Sequence, residues 1–143
     1  MNHEIFNNTS NIAVIGDLML DRYIYGTIRR ISQEAPVPIV EVEKQKDVLG
    51  GAGNVAANIS SLGGKVYLSS SIGKDEEGDK ALQIVKNIGI SDDGVWQNSK
   101  KPTTLKTRII AGRQQILRID RETRNDLERQ EEEVIIEYVR KNI

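Results

Sequence analysis

The chain has 143 residues, of which 38% are hydrophobic, and this length suits one compact domain rather than two. Its 20 basic and 21 acidic residues leave a formal net charge of -1, which gives no general reason to expect a nucleic acid or an acidic membrane as partner. Cysteine is absent and the one histidine, His3, lies in a polar N-terminal stretch, so a zinc enzyme is not expected. No apolar run approaches the roughly 20 residues that span a bilayer, and we expect a cytoplasmic protein that acts on a small molecule.

The apolar residues alternate between strand and helix patterns along much of the chain. The first strand ends at Gly16-Asp17, and the first helix is stopped by Gly63-Gly64. Strand, helix, strand and helix are predicted in that order over residues 11–17, 55–62, 65–72 and 76–88. This order predicts an α/β fold with a mostly parallel sheet covered by helices.

Two further segments are rich in β-branched residues and have no helix to cover them. The first is divided at residues 36–38 into two short strands, and the second has the form of a hairpin with Gly112-Arg113 as its turn. The four strands predict a lid, whose two segments lie at about residues 22–46 and 103–120. One face of such a lid must be buried, either over a ligand or against a second copy of the chain.

The last predicted element is a helix over residues 126–143, with Asn125 as its N-cap. Its apolar residues form one stripe, yet no strand follows it. In a βα array a helix is normally followed by the next strand. We therefore expect these residues to be one part of a larger sheet.

The segment Gly50-Gly51-Ala52-Gly53-Asn54 is the strongest indication of a binding site. Glycine lets the backbone come close to a ligand, and the first amides of the following helix have no partners within it. Asp17 follows a predicted parallel strand, at the sheet edge where α/β proteins bind ligands. Together with Asp21 and Asn54, these groups suit the hydroxyls of a sugar.

Two other interpretations of the glycines stay open. Residues 51–56 also satisfy G-x-G-x-x-A, and Asp75 falls near the position of a ribose-binding acid, which would indicate a nicotinamide-dependent enzyme. That fingerprint should join the first strand directly to the first helix, whereas here the first strand ends at Asp17. Alternatively, the glycines only pack a helix against a strand.

Several blocks, in the same order, resemble the start of a ribokinase-like (PfkB-type) carbohydrate kinase. They are residues 16–23, 30–38, 50–54, 71–78, 104–108 and 114–120. Within the family they resemble the heptose 7-phosphate kinases, which form part of a bifunctional ADP-heptose synthase. The resemblance implies a partial ribokinase-like, doubly wound and mostly parallel sheet with an added β-strand lid, and it implies a homodimer through the lid strands.

The resemblance also implies where the substrate binds. The expected contacts near the glycines are Asp17, Asp21, Gly50, Gly51 and Asn54. Four residues of the second lid segment are expected near the substrate's own phosphate, and they are Lys106, Arg108, Gln114 and Arg118. Since alternate strand residues share a face, we expect Lys106 with Arg108 on one face, and Gln114 with Arg118 on one face.

The implied reaction transfers the γ-phosphoryl group of ATP, with Mg²⁺, to the anomeric hydroxyl of D-glycero-D-manno-heptose 7-phosphate, on the path to the lipopolysaccharide core. In this family the catalytic base belongs to a Gly-Ala-Gly-Asp motif in the C-terminal half. Residues 51–54 read Gly-Ala-Gly-Asn and come too early in the chain.

We therefore expect residues 1–143 to be the N-terminal part of a sugar kinase domain that lacks the ATP-binding and catalytic half. Such a chain should hold neither ATP nor Mg²⁺ tightly and should be inactive alone. The alternatives are a stand-alone sugar-binding or dimerisation module and the nicotinamide-dependent enzyme.

Overall fold

The computed structural model describes residues 11–143, so His3 and the polar N-terminal stretch lie outside the described residues. Within them the elements in chain order are β1 (Asn11–Ile15), β2 (Leu18–Ile31), β3 (Pro38–Gly51), α1 (Ala52–Ser61), β4 (Lys65–Gly73), α2 (Glu76–Asn87), β5 (Val95–Asn98), β6 (Leu105–Ala111), β7 (Gln114–Arg121) and α3 (Arg129–Asn142). The strands form a parallel sheet in the order β1-β4-β5 and a mixed sheet, called here the lid sheet, in the order β3-β2-β6-β7. The predicted α/β fold with an added β lid is confirmed.

The strand β4 lies at the centre of the parallel sheet, and its alternate residues contact the helices on its two faces. Leu68 and Ile72 are buried in the main core, which α1 and α2 complete through Ala56, Ala81 and Val85. Ser71, on the other face, donates a hydrogen bond to Glu131 of α3. The strand is thus covered on both faces, as parallel strands require.

The lid sheet is anchored in the same core by its base. Leu18 and Leu20 of β2, Leu49 of β3 and Leu105 of β6 are all buried there. Farther out the sheet is open to solvent, and every residue of β7 is exposed. The strands β2 and β3 extend beyond the bounds expected for the first lid segment, because their antiparallel ladder continues until Leu18 pairs with Gly51.

Two local features differ from the sequence prediction. The short strand β5 was not predicted, since four residues give too little periodicity to recognise. The helix α3 begins at Arg129 with Glu128 as its N-cap, so the expectation of Asn125 at that position is wrong. The reason is a capping box, in which the Glu131 carboxylate accepts a hydrogen bond from the backbone N–H of Glu128 at 2.7 Å.

Partly buried ion pairs join the lid sheet to α2. The Asp47 side chain, only 2% exposed, contacts Arg22 Nε at 3.0 Å and Lys80 Nζ at 2.5 Å. Burial by itself raises the pKa of Asp47, but the hydrogen bonds from Arg22 and Lys80 outweigh it and hold the pKa below its usual value. Glu77 of α2 also contacts Arg121 of β7 at 2.6 Å. These contacts fix the orientation of the lid sheet on the α/β layer.

No helix among residues 11–143 is both long enough and apolar enough to cross a membrane.

Replacement of Gly51 by alanine should destabilise the fold far more than the same change at Gly112. Both residues have a positive φ, 54° and 63°, which costs alanine about 1 kcal/mol or more. A Cβ at Gly112 meets nothing within 4 Å, whereas at Gly51 it would lie 2.2 Å from the Asp17 carbonyl oxygen. We expect a loss of about 1 kcal/mol for Gly112→Ala and about 3 kcal/mol or more for Gly51→Ala in urea unfolding. Equal losses would contradict this packing.

Candidate functional site

A cleft of about 490 Å³ lies where the lid sheet meets the parallel sheet. Its walls come from the β1–β2 connection, from β4, from the segment that leads into β6, and from the connection between β7 and α3. The polar and charged side chains that line it include Asp17, Ser71, Lys101, Thr104, Lys106, Glu122 and Asn125. The volume falls within the range of small-molecule sites.

Asp17 is exposed in this cleft on a backbone that is held from two sides. The buried Ser70 hydroxyl donates to the Gly16 carbonyl at 2.6 Å and accepts from the Leu18 N–H at 2.9 Å. The N–H of Ala52 donates to the carbonyl of Asp17 itself at 2.9 Å. The main chain on either side of Asp17 is therefore fixed, while its carboxylate faces the cleft.

The glycines bring β3 close to the two aspartates. A Cβ at Gly51 would overlap the Asp17 carbonyl, and one at Gly50 would lie 2.7 Å from Asp21 Oδ2. Asn54 is exposed in the first turn of α1. Gly53 has a packing role, since a Cβ there would lie 2.5 Å from Leu18 Cδ1. Gly53 therefore packs α1 against the core, whereas Gly50 and Gly51 lie against the two aspartates.

The glycine segment does not follow a strand of the parallel sheet, as a dinucleotide-binding fingerprint requires. The strand before the glycines, β3, runs antiparallel to β2 in the lid sheet and is not part of the parallel sheet. Asp75 is the N-cap of α2 and accepts hydrogen bonds from Gly78 N at 2.8 Å and Thr103 N at 2.9 Å. Its carboxylate is occupied in joining α2 to the start of β6, so the nicotinamide interpretation is wrong.

Of the lid residues expected near a phosphate, Lys106 lies in the cleft with Asp17. Its ammonium contacts Glu122 Oε2 at 2.9 Å and Asp120 Oδ2 at 3.3 Å. Hydrogen bonds to these carboxylates, first to Glu122, raise the pKa of Lys106 above its ordinary value. The side chain is therefore charged at neutral pH and partly neutralised by its neighbours.

Asp21, Arg108 and Arg118 lie on the same face of the lid sheet as Lys106 and are paired with one another or with acids. Arg108 contacts Asp21 at 2.5 Å and lies over the Tyr23 ring, 5.3 Å from its centroid. Arg118 makes two parallel hydrogen bonds to Asp120, both 2.9 Å long. These arginines thus have carboxylate partners within the lid sheet itself.

Gln114 does not share a face with Arg118, and that part of the prediction is wrong. A register shift between Ile109 and Ile110 inserts one extra residue into β7. Gln114 consequently pairs with Ala111, whereas Arg118 pairs with Arg108 on the opposite face. Simple alternation along a strand cannot reveal such a bulge.

A buried acid behind the cleft was missed from the sequence. Glu131, 3% exposed, accepts hydrogen bonds from Ser71 Oγ and the Glu128 N–H and contacts Lys101 Nζ at 3.1 Å. Burial by itself raises the pKa of Glu131, but these donors together with Asn98 lower it from 4.5 to about 2. The serines of β4 were the feature of the sequence that could have indicated a buried polar partner, because polar residues in a buried strand need hydrogen-bond partners.

Metal-ligating side chains are not clustered in the part of the chain that the structure describes. Among residues 11–143 no three or more His, Cys, Asp or Glu side chains are grouped so that they could hold a metal ion. The lining of the cleft carries three acidic and three basic side chains, a mixture that suits a polar organic ligand with hydroxyl and anionic groups. They are Asp17, Glu122, Asp126, Lys101, Lys106 and Arg124.

The model of the pfkB family carbohydrate kinases matches residues 9–143. The chain belongs to this family. The resemblance found in the sequence blocks is thereby confirmed.

The relatives within the family include two bifunctional proteins. The bifunctional protein HldE of Sulfurimonas denitrificans is 44% identical over 135 residues, which are 94% of this chain and 28% of that protein. HldE of Helicobacter pylori is 44% identical over 132 residues, 92% of this chain and 28% of that protein. The chain spans little more than a quarter of the length of these relatives.

Solved structures of the family share the fold. Arabidopsis thaliana ribokinase, complexed with ribose and ATP, matches with a TM-score of 0.61 and 20% identity, over 76% of this chain and 34% of that one. A carbohydrate kinase from Agrobacterium tumefaciens matches with a TM-score of 0.62 and 24% identity, over 78% of this chain and 35% of that one. At such identities the likeness concerns the fold alone.

Glu131→Gln should destabilise the protein at pH 7 but much less in acid. The folded carboxylate has a pKa of about 2, below the ordinary 4.5, so its contribution is present above pH 4.5 and is lost as the pH falls towards 2. We expect the variant to lose on the order of 2 kcal/mol at pH 7 and the difference to shrink below about pH 4. Urea unfolding of both proteins across this range measures it, and a difference that is independent of pH would contradict the assignment.

Proposed function

We propose that these residues are the sugar-binding part of a kinase domain. The proposed reaction transfers the γ-phosphoryl group of ATP to the anomeric hydroxyl of D-glycero-D-manno-heptose 7-phosphate. The observation that carries the proposal is the presence of Asp17 and Lys106 in one cleft. A carboxylate accepts hydrogen bonds from sugar hydroxyls, and an ammonium group donates to a phosphate. The 44% identity to HldE and the sequence blocks that resemble heptose 7-phosphate kinases support the choice of sugar.

Asp17 is proposed to bind and orient the hydroxyls of the acceptor sugar. Its backbone is already fixed by Ser70 and Ala52, so only the side chain has to be ordered when a ligand binds. A group that is positioned in advance loses less conformational entropy on binding and holds its partner more accurately. The lid sheet, held on α2 by Asp47, supplies the opposite wall with Lys106.

The catalytic base is proposed to lie outside these residues. Residues 51–54 come too early in the chain to be the Gly-Ala-Gly-Asp motif, and the amide of Asn54 does not accept a proton at neutral pH. ATP and Mg²⁺ would accordingly be bound by other parts of the parent enzyme. The chain covers only about 28% of its relatives, which leaves room there for such parts.

The lid sheet is also the proposed surface for a homodimer. Leu117 and Ile119 of β7 are 49% and 52% exposed, and Val42 of β3 is 63% exposed. Apolar side chains on open strands favour association with another surface, and a second copy of the lid offers the same side chains. The parent enzyme is proposed to be cytoplasmic.

Isothermal titration with heptose 7-phosphate tests the proposed site. The 143-residue chain should bind the sugar phosphate, and Asp17→Asn should weaken binding roughly tenfold or more, because hydrogen bonds to a charged carboxylate are lost. Asp79→Asn is the matched control, since Asp79 is an exposed aspartate of α2 outside the cleft, and its affinity should stay within about twofold.

Two results of this titration would overturn the proposal. The first is no binding of the sugar phosphate by the unmodified chain. The second is equal weakening by Asp17→Asn and Asp79→Asn, which would mean that Asp17 makes no specific contact.

A further inference from the structure

Lys101 is a cation of the cleft that neither a sequence pattern nor the expected lid contacts identify. It lies just before β6, lines the cleft together with Asp17 and Lys106, and is 19% exposed. Its ammonium contacts the buried carboxylate of Glu131 at 3.1 Å. The contact draws the side chain against the wall of the cleft and restricts its conformations.

The contact with Glu131 does not use all the hydrogen-bond donors of Lys101, so this ammonium group can also bind another anion. The carboxylate is shared with Ser71 Oγ and with the Glu128 N–H, so its charge is spread over several donors. An ammonium group has three N–H donors, and the pair with Glu131 occupies one side of it. The exposed part of Lys101 faces the cleft.

Lys106 of the lid has two acidic partners where Lys101 has one, and Arg108 and Arg118 do not line the cleft. Lys106 lies between the carboxylates of Asp120 and Glu122. Arg118 donates from Nε and Nη2 to Asp120, and Arg108 is paired with Asp21. A phosphate that approached Lys106 would meet two carboxylates, whereas at Lys101 it would meet only that of Glu131, which is buried and bonded to other donors.

We infer that Lys101 binds the phosphate group of the phosphorylated sugar in the cleft. This inference rests on the proposed function and deepens it by naming the residue that distinguishes a sugar phosphate from a free sugar. Glu131 and Ser71 act as positioning residues, because they touch Lys101 or its partner and hold it at the wall. Lys106 faces the same space from the lid sheet, so a phosphate held by Lys101 lies near a second positive charge.

Titration of the 143-residue chain with heptose 7-phosphate and with unphosphorylated heptose tests the inference. We expect Lys101→Gln to weaken binding of the sugar phosphate roughly tenfold or more and to leave binding of the free sugar within about twofold. Lys101→Arg keeps the charge and should retain most of the preference for the phosphate. Lys100→Gln is the matched control, because Lys100 is the neighbouring lysine, is also paired with a glutamate of this region, Glu128, and is 73% exposed.

Each outcome of this experiment supports or overturns the inference. If the chain binds heptose 7-phosphate with a dependence on Asp17 but not on Lys101, the inference is wrong and the proposed function stands. If Lys101→Gln weakens both ligands equally, Lys101 has only a structural role and the inference is wrong. If the unmodified chain binds neither ligand, the proposed function fails together with the inference.

Discussion

The hydroxyl of one buried serine, Ser70, holds the turn on which the rest of the site depends. By bonding both the Gly16 carbonyl and the Leu18 N–H, it fixes the two residues that flank Asp17. The chain leaves the parallel sheet and enters the lid sheet at this point. The same hydrogen bonds therefore determine where the carboxylate points and where the lid begins. A buried hydroxyl with two partners stabilises this arrangement, whereas loss of either partner would leave a costly unsatisfied group.

The other walls of the cleft are fixed by charges as well as by the apolar packing at the base of the lid sheet. Asp47 and Glu77 hold the lid sheet on α2, and Glu131 holds the segment before β6 on α3. Each of these carboxylates is largely withdrawn from water and has at least two cationic or hydrogen-bonding partners. Such groups give geometric specificity, because an alternative orientation of the lid would leave a buried charge without a partner.

The sequence was sufficient for the fold class and for the position of Asp17 at the edge of the parallel sheet. Asp17 follows a strongly apolar strand, and the order of strand and helix patterns predicts the sheet edge on which it lies. The long ladder between β2 and β3, the bulge in β7 that turns Gln114 away from Arg118, and the capping box of α3 were not predicted. All three depend on contacts or registers between residues that no local pattern specifies.

The same limit explains why Lys101 and Glu131 were missed. They are 30 residues apart in the sequence. They meet because α3 packs against β4, where the Ser71 hydroxyl donates to Glu131. The glycines illustrate the opposite case, since the motif was evident but had several interpretations. Two structural facts argue against a dinucleotide-binding turn. The strand before the glycines is antiparallel, and Gly51 lies against the backbone of Asp17.

We propose that these residues hold an acceptor sugar but lack the groups that transfer a phosphoryl group to it. The most direct test is an assay of phosphoryl transfer from ATP to heptose 7-phosphate, at a sugar concentration that saturates the 143-residue chain by titration. The account predicts a saturated cleft and no transfer above the rate without protein. Turnover by this chain alone in the ordinary kinase range, about 1 to 100 per second, would contradict it.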